Sequence, residues 1–451
     1  MKFFKKTSIS LLFFSIAVVL LSAQTSMTVY NQNLATVKTQ LDITLDKGIN
    51  TYSFADIPSS IEPTSVHLRP ADKSGKIFIN LQNYEYDLVN SNKILEKYID
   101  KKIAVTTKEG ELFTGIYKAG DSFAYIIQSE NGIEIINRSE VQNIKLIKMP
   151  EDFYTKPTLN WELYSNKTGK CNTELSYITR DISWNAQYIA VLTPDDKQLN
   201  LSSWISLNNY SGKSYKNVSL KLMAGDINLA PDIKPTYQEE MNRYMTMGKG
   251  GTEIEEKEFF EYHLYTVKQK KLNIKNNQQK QLTLFDPTDV KINKIFSYNC
   301  NSKGQIDVLV NFKNIESSGL GIPLPKGKIR VFKDDNDGNS EFIGEDNIAH
   351  TPRNEEVELT IGKAFDIKGE FTVTNKERPS SKSRKETYKI ELRNQKKEDV
   401  TIEVIKNLGS NWQMLQSDLK YTKEDAFNIK FMTDVPAESK EEFTFTVLWT
   451  W

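Results

Sequence analysis

Apolar and polar residues alternate with a period of two along much of the chain. Leu199, Leu201, Ser203, Ile205 and Leu207 form one set, and Asn200, Ser202, Trp204, Ser206 and Asn208 form the other. Successive side chains of a strand point to opposite faces, so this pattern predicts a strand with one buried face. After the turn residues Ser211-Gly212-Lys213-Ser214 the alternation resumes at Val218, Leu220 and Leu222, and the pair reads as a hairpin. Toward the end of the chain, Phe443, Phe445, Val447, Trp449 and Trp451 alternate with Thr444, Thr446, Leu448 and Thr450.

Between 88 and 150 the pattern changes scale. Asn90 or Ser91 can cap a short helix with Ile94, Leu95, Tyr98 and Ile99 on one face. Five short strands are predicted after it, over 103–107, 112–117, 123–128, 133–137 and 141–147. Their joints are Glu109-Gly110, Gly120-Asp121 and Asn131-Gly132. Gly115 inside a strand predicts a sharp bend, and a helix followed by five bent strands resembles the SH3-like or Sm-like barrel pattern. Residues 231–258, with Pro235, Gly248, Gly250 and Gly251, read as a flexible insertion. The polar stretch 376–389, containing Arg378-Pro379-Ser380-Ser381, reads as a joint between two β-domains.

A chain of 451 residues is too long for one compact core. The expected fold is mostly β and multi-domain, with β-sandwich-like units and an inserted small barrel. The expected units are a leader at 1–23, an N-terminal β unit at 24–87, the barrel at 88–150, a first larger β unit at 151–375 and a C-terminal sandwich-like unit at 376–451.

The first residues change the picture of where such a protein works. Lys2, Lys5 and Lys6 precede a nearly unbroken apolar run from Ser8 to Leu21, and Ser22 and Ala23 supply the small residues a signal peptidase needs. The run is shorter than the roughly 20 residues that cross a bilayer, so a cleaved leader is expected, with Gln24 as first mature residue. The expected location is outside the cytoplasm, in the periplasm or at the cell surface. Lys plus Arg and Asp plus Glu number 59 each; removing the three leader lysines leaves 56 against 59. That balance gives no reason to expect nucleic acid as a partner. Cys171 and Cys300 are the two cysteines, and an oxidising compartment would allow them to form a disulfide.

From residue 177 onward a series of phrases occurs in order: YITRDISWNAQY at 177–188, NYSGKSY at 209–215, LMAGD at 222–226, FEYHLY at 260–265, Lys280-Gln281, LPKGKIRV at 324–331, Gly344-Glu345-Asp346, His350-Thr351-Pro352 and GKAFD at 362–366. Together they resemble the bacterial domain-of-unknown-function family 4139, whose members are sometimes labelled mucoidy-inhibitor-like. The resemblance covers roughly 159–451. It implies a β-rich and often exported protein and implies no particular activity. Many relatives carry a coiled coil before this domain; here no sustained heptads are present and the small barrel stands in that place. Residues 28–80 resemble a reduced N-terminal β unit of such proteins.

Candidate chemistry is thin. Of three histidines, His67, His263 and His350, the latter two lie inside family-like phrases. A metal site or acid–base pair is one reading of them, and a hydrogen bond that fixes the turn before Pro352 is the other. Asp334, Asp335, Asn336, Asp337 and Gly338 form an acidic turn, read as a hairpin tip because the spacing fails the EF-hand pattern. Trp184, Trp204 and Tyr188 could offer a glycan-stacking surface or pack as core aromatics. The aromatic terminal strand resembles the last strand of an outer-membrane barrel, which leaves outer-membrane association open; a sandwich strand is the preferred reading. No serine-hydrolase, zinc-protease, P-loop or dinucleotide motif occurs, and no cofactor or metal is expected. The expected role is a non-catalytic envelope protein that binds other proteins or surface glycan, with a hydrolase of envelope polysaccharide as the alternative.

Overall fold

The computed structural model describes residues 25–71, 75–86, 91–147, 154–225, 227–229, 254–259, 262–268, 271–335 and 337–451. The expected leader lies outside the described residues, as does most of the 231–258 insertion, whose last residues form the strand Ile254–Phe259. The fold is mostly β, built from several sheets that pack in sandwich-like fashion.

An eight-stranded sheet runs through the N-terminal half. Its order is Ile254–Phe259, Tyr262–Val267, Tyr215–Ala224, Thr25–Tyr30, Leu34–Leu45, Gly169–Arg180 and His67–Pro70, with Leu272–Ile274 also pairing Tyr215–Ala224. Residues 24–87 therefore do not close on themselves. Thr25–Tyr30 lies parallel to Tyr215–Ala224, and Leu34–Leu45 pairs Gly169–Arg180 along its whole length. Gly48–Phe54 and Ile77–Glu85 flank Thr158–Ser165 in a three-stranded sheet. One apolar core, with Met27, Val37, Trp161, Leu175 and Leu220, joins these early strands to the later ones.

The strands Gln198–Asn209 and Tyr215–Ala224 form where the alternation predicts, but they do not pair as a hairpin. Gln198–Asn209 lies between Ile182–Leu192 and Gln278–Lys291 in a five-stranded sheet completed by Gly327–Asp334 and Ser340–Ile348. The connecting turn is a corner between sheets. The buried Asn209 amide donates to the Lys213 and Lys275 carbonyls, and the Ser211 carbonyl accepts from the Ser60 amide. These bonds tie the turn to other segments, and Leu207 and Leu220 enter one core from two sheets.

The short helix and five strands expected in the inserted segment form near their predicted positions. Ser91–Glu96 is helical, and Lys102–Thr107, Leu112–Gly120, Ala124–Ser129, Gly132–Asn137 and Val141–Leu146 form one sheet. The last strand pairs with the first in this sheet. Leu95, Tyr98, Ile103, Val105, Tyr117 and Ile127 make its own core. A Cβ on Gly115 would stand 2.4 Å from the Gln128 carbonyl oxygen, so the close strand approach there requires glycine.

The C-terminal part is a sandwich. A six-stranded sheet, including Asn293–Asn299, Asp307–Lys313 and Val400–Asn407, shares an aromatic core with the four-stranded sheet Ile367–Ser380, Ser383–Asn394, Ser439–Thr450 and Trp412–Ser417. Phe431, Phe443, Phe445 and Tyr388 fill that core, and the aromatic strand Ser439–Thr450 is an interior strand of its sheet. The stretch expected to join two domains at 376–389 is instead part of a long hairpin between Ile367–Ser380 and Ser383–Asn394. Its polarity has a cross-strand cause: Lys376 pairs with Glu386 at 3.1 Å and Lys385 with Glu377 at 3.3 Å. Opposite charges facing each other stabilise a strand pair, so charge here marks strand pairing and not a linker.

Candidate functional site

Three buried polar side chains shape one short backbone segment. Pro323-Leu324-Pro325 cannot donate at either proline, so its carbonyls must find donors elsewhere. The Tyr265 hydroxyl donates to the Pro323 carbonyl at 3.0 Å, and the Tyr188 hydroxyl donates to the Pro325 carbonyl at 2.7 Å. Leu324 exchanges both backbone hydrogen bonds with Thr351, each at 2.9 Å. Asn314, fully buried, donates from its amide to the Ile322 and Pro352 carbonyls at 2.7 and 2.8 Å and accepts from the Gly321 amide. Two proline-bearing segments distant in sequence are thereby held side by side.

The result is a cleft of about 200 Å³ walled by Pro323, Pro325, Pro352 and Tyr265, with His263 and His350 both on it. His263 reaches it from Tyr262–Val267, directly across the ladder from Ala224. His350 accepts the Lys326 amide hydrogen on Nδ1 at 3.2 Å, which places the proton of the neutral ring on Nε2. Gly225 closes one edge with φ +129°, and a Cβ there would meet the Tyr262 ring at 2.4 Å. Side-chain polarity on the walls is confined to two imidazoles, one phenol and the Thr351 hydroxyl; that hydroxyl donates to the Ala349 carbonyl. Burial pushes the Tyr188 hydroxyl well above its usual range, so it stays a donor at any physiological pH. Such a slot is suited to holding a small apolar group and hydrogen-bonding its rim.

The other residues singled out in the sequence fall elsewhere. Trp184 is 1% exposed; its indole donates to the Met223 carbonyl at 3.2 Å and its ring meets Tyr265 edge-on at 6.1 Å. It supports the cleft from beneath. Trp204 pairs across from Gln187 on the opposite face of its sheet and is half-buried. Trp184 and Tyr188 share the buried face of their strand and Trp204 lies on the other face, so the three do not make a common stacking surface. His67 is exposed on the strand His67–Pro70, opposite Ser176.

Cys171 and Cys300 are free buried thiols in separate cores, one with Met27 and Leu175 and the other with Tyr298 and Phe296. The disulfide does not form, since each thiol is packed into its own interior. The acidic turn is the tip of the hairpin Gly327–Asp334 to Ser340–Ile348. Asp335 accepts from the Asn339 and Asp337 amides there, and these bonds hold its carboxyl below the usual range. Among the described residues no group of three or more His, Cys, Asp or Glu is placed to hold a metal ion.

Sequence reasoning missed Asn314 altogether and gave Tyr265 no role of its own. A buried asparagine leaves no mark on alternation, while Tyr265 lay two residues from a flagged histidine. The walls of the cleft come from five segments that carry the family resemblance: Trp184 and Tyr188 beneath, Ala224 and Gly225, His263 and Tyr265, Leu324 and Pro325, and His350 to Pro352. No curated protein matches the chain. The family model described as a domain of unknown function (DUF4139) matches residues 173–448, more than half of the chain, and the chain belongs to that family.

Proposed function

We propose that this is an exported, non-catalytic binding protein of the cell envelope, whose cleft at His263 and His350 seats a short apolar anchor of a partner protein. The observation that carries this reading is the set of buried hydrogen bonds that hold the walls of the cleft. Tyr188, Tyr265 and Asn314 each spend a buried polar group on holding its walls. A preformed slot loses little entropy when a ligand enters, which is what a binding site requires. Export is supported by the basic and apolar residues at 2–23 and their small-residue end. The inserted segment fits a small SH3-like or Sm-like barrel, supported by its strand order and by the bend at Gly115.

A photo-crosslinking residue placed at His263 in cells tests the reading. A discrete adduct from position 263, absent when the crosslinker stands at the exposed Lys216, is the expected result. Identical adduct patterns at both positions, or none at 263, would refute it. Sequencing the N-terminus of protein from the envelope fraction should begin at Gln24.

A further inference from the structure

A second and larger cleft opens at one end of the C-terminal sandwich, with a volume of about 450 Å³. Its floor is Tyr298 and Cys300 and its rim carries Lys303, Lys368 and Arg393. Burial pushes both the Tyr298 phenol and the Cys300 thiol up to about 12, so the floor is neutral at physiological pH.

The rim charges are placed by the backbone. Gly369 donates its amide to the Gly304 carbonyl at 3.2 Å, and a Cβ on Gly304 would stand 2.8 Å from the Gly369 carbonyl oxygen. This close approach fixes the turn that bears Lys303 against the strand that bears Lys368. The Tyr298 ring lies against Gly369 closely enough that a Cβ there would meet three ring atoms at 2.7 Å.

Like charges face each other along this ladder. Lys368 is the direct cross-strand partner of Arg393, and Glu370 is the direct partner of Glu391. Arg393 turns to the acids, 3.1 Å from Glu391 and 3.5 Å from Glu370. Lys368 is left facing a like charge, an arrangement that destabilises a strand pair. Neither Lys368 nor Lys303 has an acidic partner among the described residues. Glu370 also lines the cleft and shares Arg393 with Glu391, so the unpaired charge is that of Lys303 and Lys368; these two cations attract an anion, and one bound there would relieve the Lys368–Arg393 repulsion. The volume exceeds what a bare anion fills and falls in the range of molecular ligand sites.

We propose that this cleft binds a small organic anion, with Lys303 and Lys368 holding its carboxylate or phosphate, and acidic sugars are the probes that test it. The site is separate from the cleft at His263 and His350, and its test depends neither on that cleft nor on export. Calorimetric titration of the purified protein with glucuronate, glucose 6-phosphate, glucose and inorganic phosphate separates the cases. Binding of glucuronate or glucose 6-phosphate, weakened by added salt, is expected, with glucose and inorganic phosphate at least about tenfold weaker. The tighter of the two acidic sugars identifies the anionic group. The double variant Lys303→Glu, Lys368→Glu should weaken the interaction at least about tenfold while its melting temperature does not fall, both lysines being exposed and Lys368→Glu placing an acid opposite Arg393. The milder pair Lys303→Ala, Lys368→Ala should fall between. Equal binding of inorganic phosphate or glucose, unchanged affinity in both variants, or no binding of any acidic sugar would overturn the proposal.

Discussion

Removing single hydroxyls from the walls of the His263 cleft tests whether buried hydrogen bonds hold it. Tyr188→Phe and Tyr265→Phe keep the rings, so neither opens a cavity. Each leaves a buried proline carbonyl without its donor, the Pro325 oxygen in one case and the Pro323 oxygen in the other. An unsatisfied buried acceptor costs about 1–3 kcal/mol, and the shorter bond to the fully buried Tyr188 should lie at the upper end. The readout should be local, because a chain with several cores need not unfold in one step. Hydrogen exchange at the Leu324 and Thr351 amides serves, since their mutual bonds bridge the same segments. Exchange at both amides should accelerate about 5- to 150-fold in each variant if the opening that exposes them is made easier by the full cost. In the double variant the two effects should fall short of additive by at least about 0.5 kcal/mol, since both tyrosines clamp one three-residue segment. The exposed Tyr210→Phe is the control. Exchange within about twofold of wild type in both single variants would refute the clamp.

Three further outcomes follow from the packing. Neither Cys171 nor Cys300 should react with a thiol reagent in the native protein, and both should react in denaturant without prior reduction, because both are buried from the reagent, burial pushes the Cys300 thiol up, and no disulfide links them. Gly369→Ala should lower stability by about 1–3 kcal/mol in calorimetry of the C-terminal transition, since the added methyl overlaps the Tyr298 ring. Asp196 has its carboxyl lowered: burial pushes it up, but the Lys294 and Lys333 ammonium groups bonded to it outweigh burial. A depressed carboxylate contributes stability above its unfolded pKa and loses it as pH falls through the folded one. The wild-type melting temperature should therefore fall more steeply than that of Asp196→Asn on going below the usual aspartate range, and parallel curves would contradict this.

The alternation of apolar and polar residues marked several of the strands, because a strand that buries one face must repeat every second residue. It placed the five strands between 102 and 146 and the strands Gln198–Asn209 and Tyr215–Ala224. The phrases at 260–265 and 350–352 pointed to His263 and His350, which the fold brings to one cleft. Pairing was decided only in three dimensions. A strand edge presents the same backbone donors and acceptors whatever its neighbour, so nothing local told Thr25–Tyr30 to lie beside Tyr215–Ala224. Nor did a local signal forbid Gln198–Asn209 and Tyr215–Ala224 from forming a hairpin. Charge was ambiguous for the same reason: Lys376, Glu377, Lys385 and Glu386 read as a linker until each was seen opposite its counter-charge. The separation of Cys171 from Cys300, the hidden position of Trp184 and the clamp made by Asn314 all depend on which sheets face which cores, and only the tertiary structure sets that.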